Sequence, residues 1–373
     1  MDGSNLRIRC LSPYTRPEPG HPPPHPASYL ARLIDQAMAS GSVYYPEYLQ
    51  LDKILGAQDP ESVKLGRPAH DEMLFIVVHQ AYELWFKLIL HEVGSVMEMF
   101  ADGHVDDDGG ELNIAVHRMQ RVKTILDVLV HQMDIMETMT PLDFLDFRDM
   151  LRPASGFQSM QFKVLEAKLG LRMEERFGKQ YYTSQLKPVD KAAIDGLEQG
   201  TTLLEMVNAW LERMPFLNDK YWPQGEGHFF DKLEHLYTGS LVEGEEGNAA
   251  LWKEVFITGR AGRHLGPAAC RSALFIMLFR DEPIFQQPFR FLESLLDIDA
   301  GMAAWRGRHL NMVHRMIGLR VGTGGSTGKA YLRGAMDSHY IFNEIADLSS
   351  FLFPRHQLPE LPEALKKAVR FGA

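Results

Sequence analysis

MLFIVVHQAYELWFKLILHEVGSVMEMF, residues 73–100, decides the fold. Apolar residues nearly surround a helix of this sequence, so most of its surface is expected to be buried. Phe75, His79, Tyr82 and Phe86 recur at i, i+4, i+7 and i+11 and share one face. Glu83 and Lys87 stand as an i,i+4 pair in the favourable orientation. Pro68 is placed to open the helix, and Gly103 to stop it beyond Phe100. His79 therefore lies among aromatic rings where interior is expected. A core histidine satisfied by a backbone carbonyl and a histidine serving a site both fit, and this stretch alone leaves both open.

Outward from it, helical spacing continues. SYLARLIDQAMAS from Ser28 reads as a helix stopped by Gly41, and YYPEYLQLDKIL as a short aromatic segment around Pro46. Further helices are expected over about residues 110–137, 141–151, 157–169, 188–213, 227–238, 248–258, 267–279, 284–296, 300–317 and 330–351. Period-two runs of β-branched residues are few, so the expected class is all-α. Residues 1–26, ending in HPPPHP, read as an extended, mobile, proline-rich arm. Residues 27–373 read as one helical domain. Within it, about 175–265 is more polar and more broken by glycine and proline, as an inserted subregion would be.

Bulk properties narrow the function. The chain has 373 residues, 45% of them apolar, which is ample for a real core. A formal charge of -10 argues against nucleic-acid binding. No uninterrupted apolar run reaches a membrane span, and the N-terminus lacks the apolar centre of a signal peptide. Cys10 and Cys270 are too few for a disulfide framework. A soluble cytoplasmic protein is the expectation.

Three other stretches look chemically purposeful. GTGGSTGKAY, residues 322–331, nearly spells a phosphate-binding loop. Thr323 replaces the first glycine, however, Ala330 replaces the magnesium-binding hydroxyl, and a helical pattern rather than a strand precedes it. In MAAWRGRHLNMVHRMIG, residues 302–318, Trp305, His309, Met312 and Met316 share a face. His309 and His314 lie about 140° apart around a helix and cannot hold one metal together. A single imidazole on an apolar face suits a haem axial ligand better than a zinc cage, because haem supplies its other four nitrogens. The same stripe is also what plain core looks like. In TPLDFLDFRDMLRPASGFQSMQF, residues 140–162, Thr140 and Pro141 start a helix that sets Arg148 on a face with Phe144 and Phe147. Such an arginine calls for an anion, either Asp143, Asp146 or Asp149, or a ligand carboxylate.

The strings YLQLDKIL, HDEMLFIVVHQAYELWFK, LDFRDMLRPASGFQSMQF, HLNMVHRMIG and GTGGSTG occur in this order. Together they resemble the tryptophan 2,3-dioxygenase family over roughly residues 44–358. The resemblance implies an all-helical homotetramer with one haem b per subunit, opening the indole ring of L-tryptophan with O2 to give N-formylkynurenine. It implies that His309 is the axial iron ligand with Trp305 beside it. It makes His79 the distal residue facing the indole N–H, and sets Phe75, Tyr82 and Phe144 around the substrate. Arg148 and Thr323 match residues that hold the substrate's carboxylate and ammonium, which gives the glycine-rich loop an amino acid rather than a phosphate. Ser155 and Gly156 fall at the haem edge. Tyr45, Tyr48 and Leu49 match a segment that reaches into a neighbouring subunit's site.

Departures from the family pattern motivate a second expectation. Lys329-Ala330 stands where an aromatic–histidine pair belongs, Thr327 where a second serine belongs, and Tyr44 and Pro46 alter the N-terminal segment. They fit drift at the rim. They also fit a haem monooxygenase acting on a ring- or β-substituted tryptophan. A non-catalytic haem sensor or scaffold is the third reading.

Overall fold

The computed structural model describes residues 43–101, 103, 105, 110–179, 183–217, 221–222, 226–322 and 329–369. The expected proline-rich arm, the expected helix from Ser28 and Thr323 lie outside the described residues. Among those described there are helices and turns and no strand, as the spacing of apolar residues requires.

One compact unit ends at Asp59. It holds α1 (Tyr45–Tyr48) and α2 (Leu51–Leu55). Pro46 sits in the first turn of α1, and Gln50, with φ of 51°, turns the chain between the two helices. Tyr45, Tyr48 and Leu49 are exposed.

The second unit begins at Pro60. It runs through α3 (Glu61–Lys64), α4 (Asp71–Ala101), α5 (Gly110–Met136), α6 (Pro141–Arg148), α7 (Met160–Leu169), α8 (Pro188–Glu198) and α9 (Leu203–Glu212). Then follow α10 (Glu226–Ser240), α11 (Gly247–Lys253), α12 (Pro267–Leu278), α13 (Gln286–Ile317), α14 (Lys329–Ser338), α15 (Asn343–Asp347) and α16 (Glu363–Val369). The long helices α4, α5 and α13 form the centre, with α5 packed along both of the others. Their seam is apolar: Ile89, Val93 and Val96 from α4, Leu112, Met119, Val122 and Leu129 from α5, and Leu295 and Ile298 from α13 are all buried. By length and hydropathy α4 is apolar enough to cross a membrane. Met73, Val77 and Leu84, which share one of its faces, remain exposed.

Local chemistry sets the ends. Thr140 and Asp143 make a capping box, the Asp143 N–H donating to Thr140 Oγ1 (3.3 Å) and the Thr140 N–H to Asp143 Oδ2 (2.9 Å). The buried Glu72 carboxylate accepts the Glu61 and Ser62 N–H groups (2.8 and 2.9 Å), tying the start of α4 to the start of α3.

The structure corrects four expectations. The long helix starts at Asp71 rather than Pro68. The helix expected over 188–213 is two, because Thr202 and Glu205 form a capping box that starts α9 afresh. The segments 284–296 and 300–317 are one helix, α13, and Gly301 does not break it. A Cβ at Gly301 would lie 3.1 Å from Leu126 Cβ, so this glycine serves the close approach of α5. Finally, the helix expected over 330–351 breaks after Ser338. There the buried Asp299 carboxylate of α13 accepts the N–H groups of Ile341 (3.0 Å) and Phe342 (2.6 Å), taking the backbone out of the helical ladder.

Candidate active site

Within the second unit α4, α6, α7, α13 and α14 enclose a cavity of about 310 Å³. Phe75, His79, Tyr82, Phe144, Arg148, Ser155, Gly156, Trp305 and His309, nine positions singled out in the sequence, all line it.

On the α4 wall His79 is exposed only in the sense that it borders this cavity. Its Nδ1 lies 2.7 Å from the Phe75 carbonyl oxygen. A carbonyl can only accept, so Nδ1 carries the proton in the neutral ring and Nε2 is left as an acceptor. Burial holds the imidazole below its ordinary pKa, against the Phe75 carbonyl and the Glu83 carboxylate, which raise it. The backbone-satisfied and site readings of this histidine are thus both realised in one residue. Phe75 also stacks on Phe144 (5.8 Å between centroids), and Phe147 meets Phe144 edge-on at 5.4 Å. The result is an aromatic slot suited to a flat ring.

Tyr82 offers the cavity its ring only. Its hydroxyl donates to the Leu129 carbonyl (3.0 Å), and burial pushes its pKa up to about 12. Glu83 does not pair with Lys87 as the spacing suggests. Gln161 Nε2 instead donates to both the Glu83 carbonyl (2.7 Å) and its Oε2 (2.8 Å).

On the α13 wall the His309 ring lies parallel to that of Trp305, 5.5 Å between centroids at 3°. Burial, and then the charge of His79, hold its pKa down at about 4, so His309 is a neutral donor. It makes no hydrogen bond among the described residues. No group of three or more His, Cys, Asp or Glu side chains gathers there either. A lone, neutral, uncommitted imidazole on an apolar wall fits a metal whose remaining ligands come with a prosthetic group.

Arg148, the last residue of α6, is buried, and its Nη2 donates to the Val321 carbonyl beside the glycine-rich loop. None of the nearby aspartates takes it. Asp143 caps α6, Asp149 lies 3.5 Å from Arg152, and no ion pair of Arg148 occurs among the described residues. Ser155 Oγ accepts the Phe157 N–H (3.4 Å) at the start of a single turn, Gly156–Gln158.

Sequence reasoning missed the cluster at the far side of the cavity. There Glu166 pairs with Arg176 (2.5 Å) and with Arg306 (2.7 Å), and His339 Nδ1 lies 3.6 Å away. Burial pushes the Glu166 carboxyl up, but Arg176, His339 and Arg306 together hold it well below the usual range. Lys163 lies on the same wall. No spacing rule announces these contacts, since Glu166 and Arg306 are 140 residues apart.

Two neutral imidazoles, an aromatic slot and a guanidinium that meets no carboxylate among the described residues, gathered in one cavity of an all-helical chain, make a candidate enzyme site. The family model described as Tryptophan 2,3-dioxygenase matches residues 34–250 and 242–352. Proteins named tryptophan 2,3-dioxygenase from Xenopus tropicalis and Alteromonas mediterranea are 43% and 42% identical to this chain, each over 353 residues. These alignments cover 88% of this chain in both cases, and 87% and 97% of the relatives. The protein of the same name from Rattus norvegicus is 41% identical over the same share of this chain. The chain belongs to the tryptophan 2,3-dioxygenase family.

Proposed function

We propose that this chain opens the indole ring of L-tryptophan with O2, inserting both oxygen atoms to give N-formylkynurenine, with haem b as its cofactor. The observation that carries the reading is the pairing of a neutral, uncommitted His309 with an Arg148 that lacks an anion, both facing one cavity. His309 would hold the iron and Trp305 would back its ring; when bound, the haem supplies the site at which O2 reacts. Arg148 would take the substrate carboxylate bidentately, with Thr323 closing on the amino-acid end. The slot of Phe75, Phe144 and the Tyr82 ring would hold the indole. His79, with Nε2 as acceptor, is set to receive the indole N–H hydrogen bond. Ser155 and Gly156 would border the haem edge. Closing an ion pair over the slot excludes water and fixes the indole, which is a proximity effect.

The reading includes assembly as a cytoplasmic homotetramer, with Tyr45, Tyr48 and Leu49 contributed to a neighbour's site. It is supported by exposed apolar stripes: Met73, Val77 and Leu84 on α4, and Ile114, Val128 and Ile135 on α5.

The test is the mass of the product from ferrous holoprotein, L-tryptophan and O2. Two added oxygen atoms are expected; one would move the assignment to a monooxygenase, and none from a haem-bearing protein to a sensor or another substrate. The relatives favour neither alternative. Replacing His309 by Ala is expected to abolish haem retention or its normal spectrum.

A further inference from the structure

α14 comes directly after the glycine-rich stretch and sets Tyr331, Leu332 and Ala335 on the cavity wall. That stretch, residues 322–328, begins next to Val321, whose carbonyl Arg148 holds. The seat of α14 therefore fixes the far end of a chain segment whose near end lies at Arg148. α13 is seated by its apolar seam with α5, whereas the polar contacts that seat α14 gather at one residue. His339, just past its last turn, is 2% exposed and lines the cavity. Its N–H donates to the Ala335 carbonyl (3.0 Å), and its own carbonyl accepts from Arg306 Nη1 of α13 (3.0 Å). Its Nε2 accepts the Phe177 N–H (2.9 Å), so Nδ1 carries the ring proton, 3.6 Å from Glu166 Oε1. The Phe177 ring then closes on α14: a Cβ at Gly334 would lie 2.5 Å from its Cδ1, and its centroid is 6.1 Å from that of Tyr331.

We propose that His339 is a positioning residue for substrate binding. Its ring holds Phe177 against α14, and so keeps the Tyr331 wall, and the chain running back to Val321 and Arg148, in place for the amino acid. It acts through α14 rather than on the reacting atoms. The inference rests on the tryptophan reading above, and the haem side is left to α13, which carries His309 and Trp305.

The test measures KM and kcat for L-tryptophan, with equilibrium dialysis of the same ligand, on holoprotein of the wild type, H339L, H339Q and G334A. Leucine leaves the buried Phe177 N–H without an acceptor, whereas the glutamine Oε1 reaches the place of Nε2. H339L is expected to raise KM and the dialysis Kd by about ten-fold or more, the cost of one buried N–H left unmet, with kcat and haem content within about two-fold of wild type. H339Q is expected to bring both back to within about three-fold. G334A displaces the Phe177 ring without touching His339 and is expected to weaken tryptophan in the same way. It supplies the comparison should H339L fail to fold by circular dichroism. A merely structural role would lower the melting temperature and leave KM and Kd unchanged. That result overturns this inference alone, as does a loss confined to kcat, or an H339Q no better than H339L. Wild-type holoprotein that neither binds nor turns over L-tryptophan overturns the tryptophan reading and this inference together.

Discussion

Arg148 and Arg306 are both buried, at 4% and 5% exposure, and both line the same cavity, yet they are kept differently. Arg306 donates to Glu166 Oε1 (2.7 Å) and to the His339 carbonyl (3.0 Å), so its charge is balanced within the fold. Arg148 has a carbonyl and, among the described residues, no carboxylate. A structural arginine brings its own anion, while a binding arginine is left short of one, and the fold carries the cost until a ligand arrives.

The largest effect that would sharpen this contrast is on the Arg306 side. Glu166→Gln leaves Arg306 without its anion and Arg176 with only Glu198, 3.7 Å away, and a loss of about 3–5 kcal/mol of fold stability is expected in chemical denaturation. A loss under about 1 kcal/mol would mean that the cluster is not structural. Asp299 comes next. Burial raises its carboxyl to about 6, outweighing the Phe342 and Ile341 N–H groups and Arg306, which pull it down. A folded pKa above the unfolded one favours the protonated form, so this contribution is fully present below about pH 4 and is lost as pH rises through about 6. Relative to Asp299→Asn, the wild type should lose up to about 3 kcal/mol between those limits. A stability difference flat in pH would remove Asp299 from the account. Arg148→Met is expected to have a smaller effect of opposite sign to Glu166→Gln: apoprotein stability unchanged or raised by about 1 kcal/mol. A large destabilisation would show that the two arginines are alike after all. Gly301→Ala should be the mildest. The 3.1 Å contact with Leu126 costs about 1–3 kcal/mol of overpacking, partly offset by about 1 kcal/mol of helix propensity, so a slightly lower melting temperature is expected.

Helix class and most of the cavity wall were legible because they rest on local periodicity. His79 with Phe75, and His309 with Trp305, lie one turn apart, where spacing alone brings side chains together. What escaped depends on partners distant in sequence. The break expected between residues 296 and 300 does not occur, and Gly301 just beyond it is required by Leu126 of α5, which is seen only in the packed structure. The break after Ser338 depends on a carboxylate from α13. The Glu166–Arg176–Arg306 cluster joins three separate segments. Glu83 was paired with Lys87 by helix geometry, yet Gln161 from α7 wins it. Arg148 was legible as a cation in search of an anion. That none of its neighbouring aspartates supplies one is visible only in three dimensions.

The most direct test of the central claim compares the binding of L-tryptophan and tryptamine, which lacks the carboxylate, to wild-type and Arg148→Met holoprotein. The wild type is expected to prefer tryptophan by about 30-fold or more, as a buried, hydrogen-bonded charge pair would give. In Arg148→Met the preference should vanish while haem content stays normal. A variant that still prefers tryptophan to the wild-type degree would contradict the account, because Arg148 would then not be the group awaiting the substrate's carboxylate.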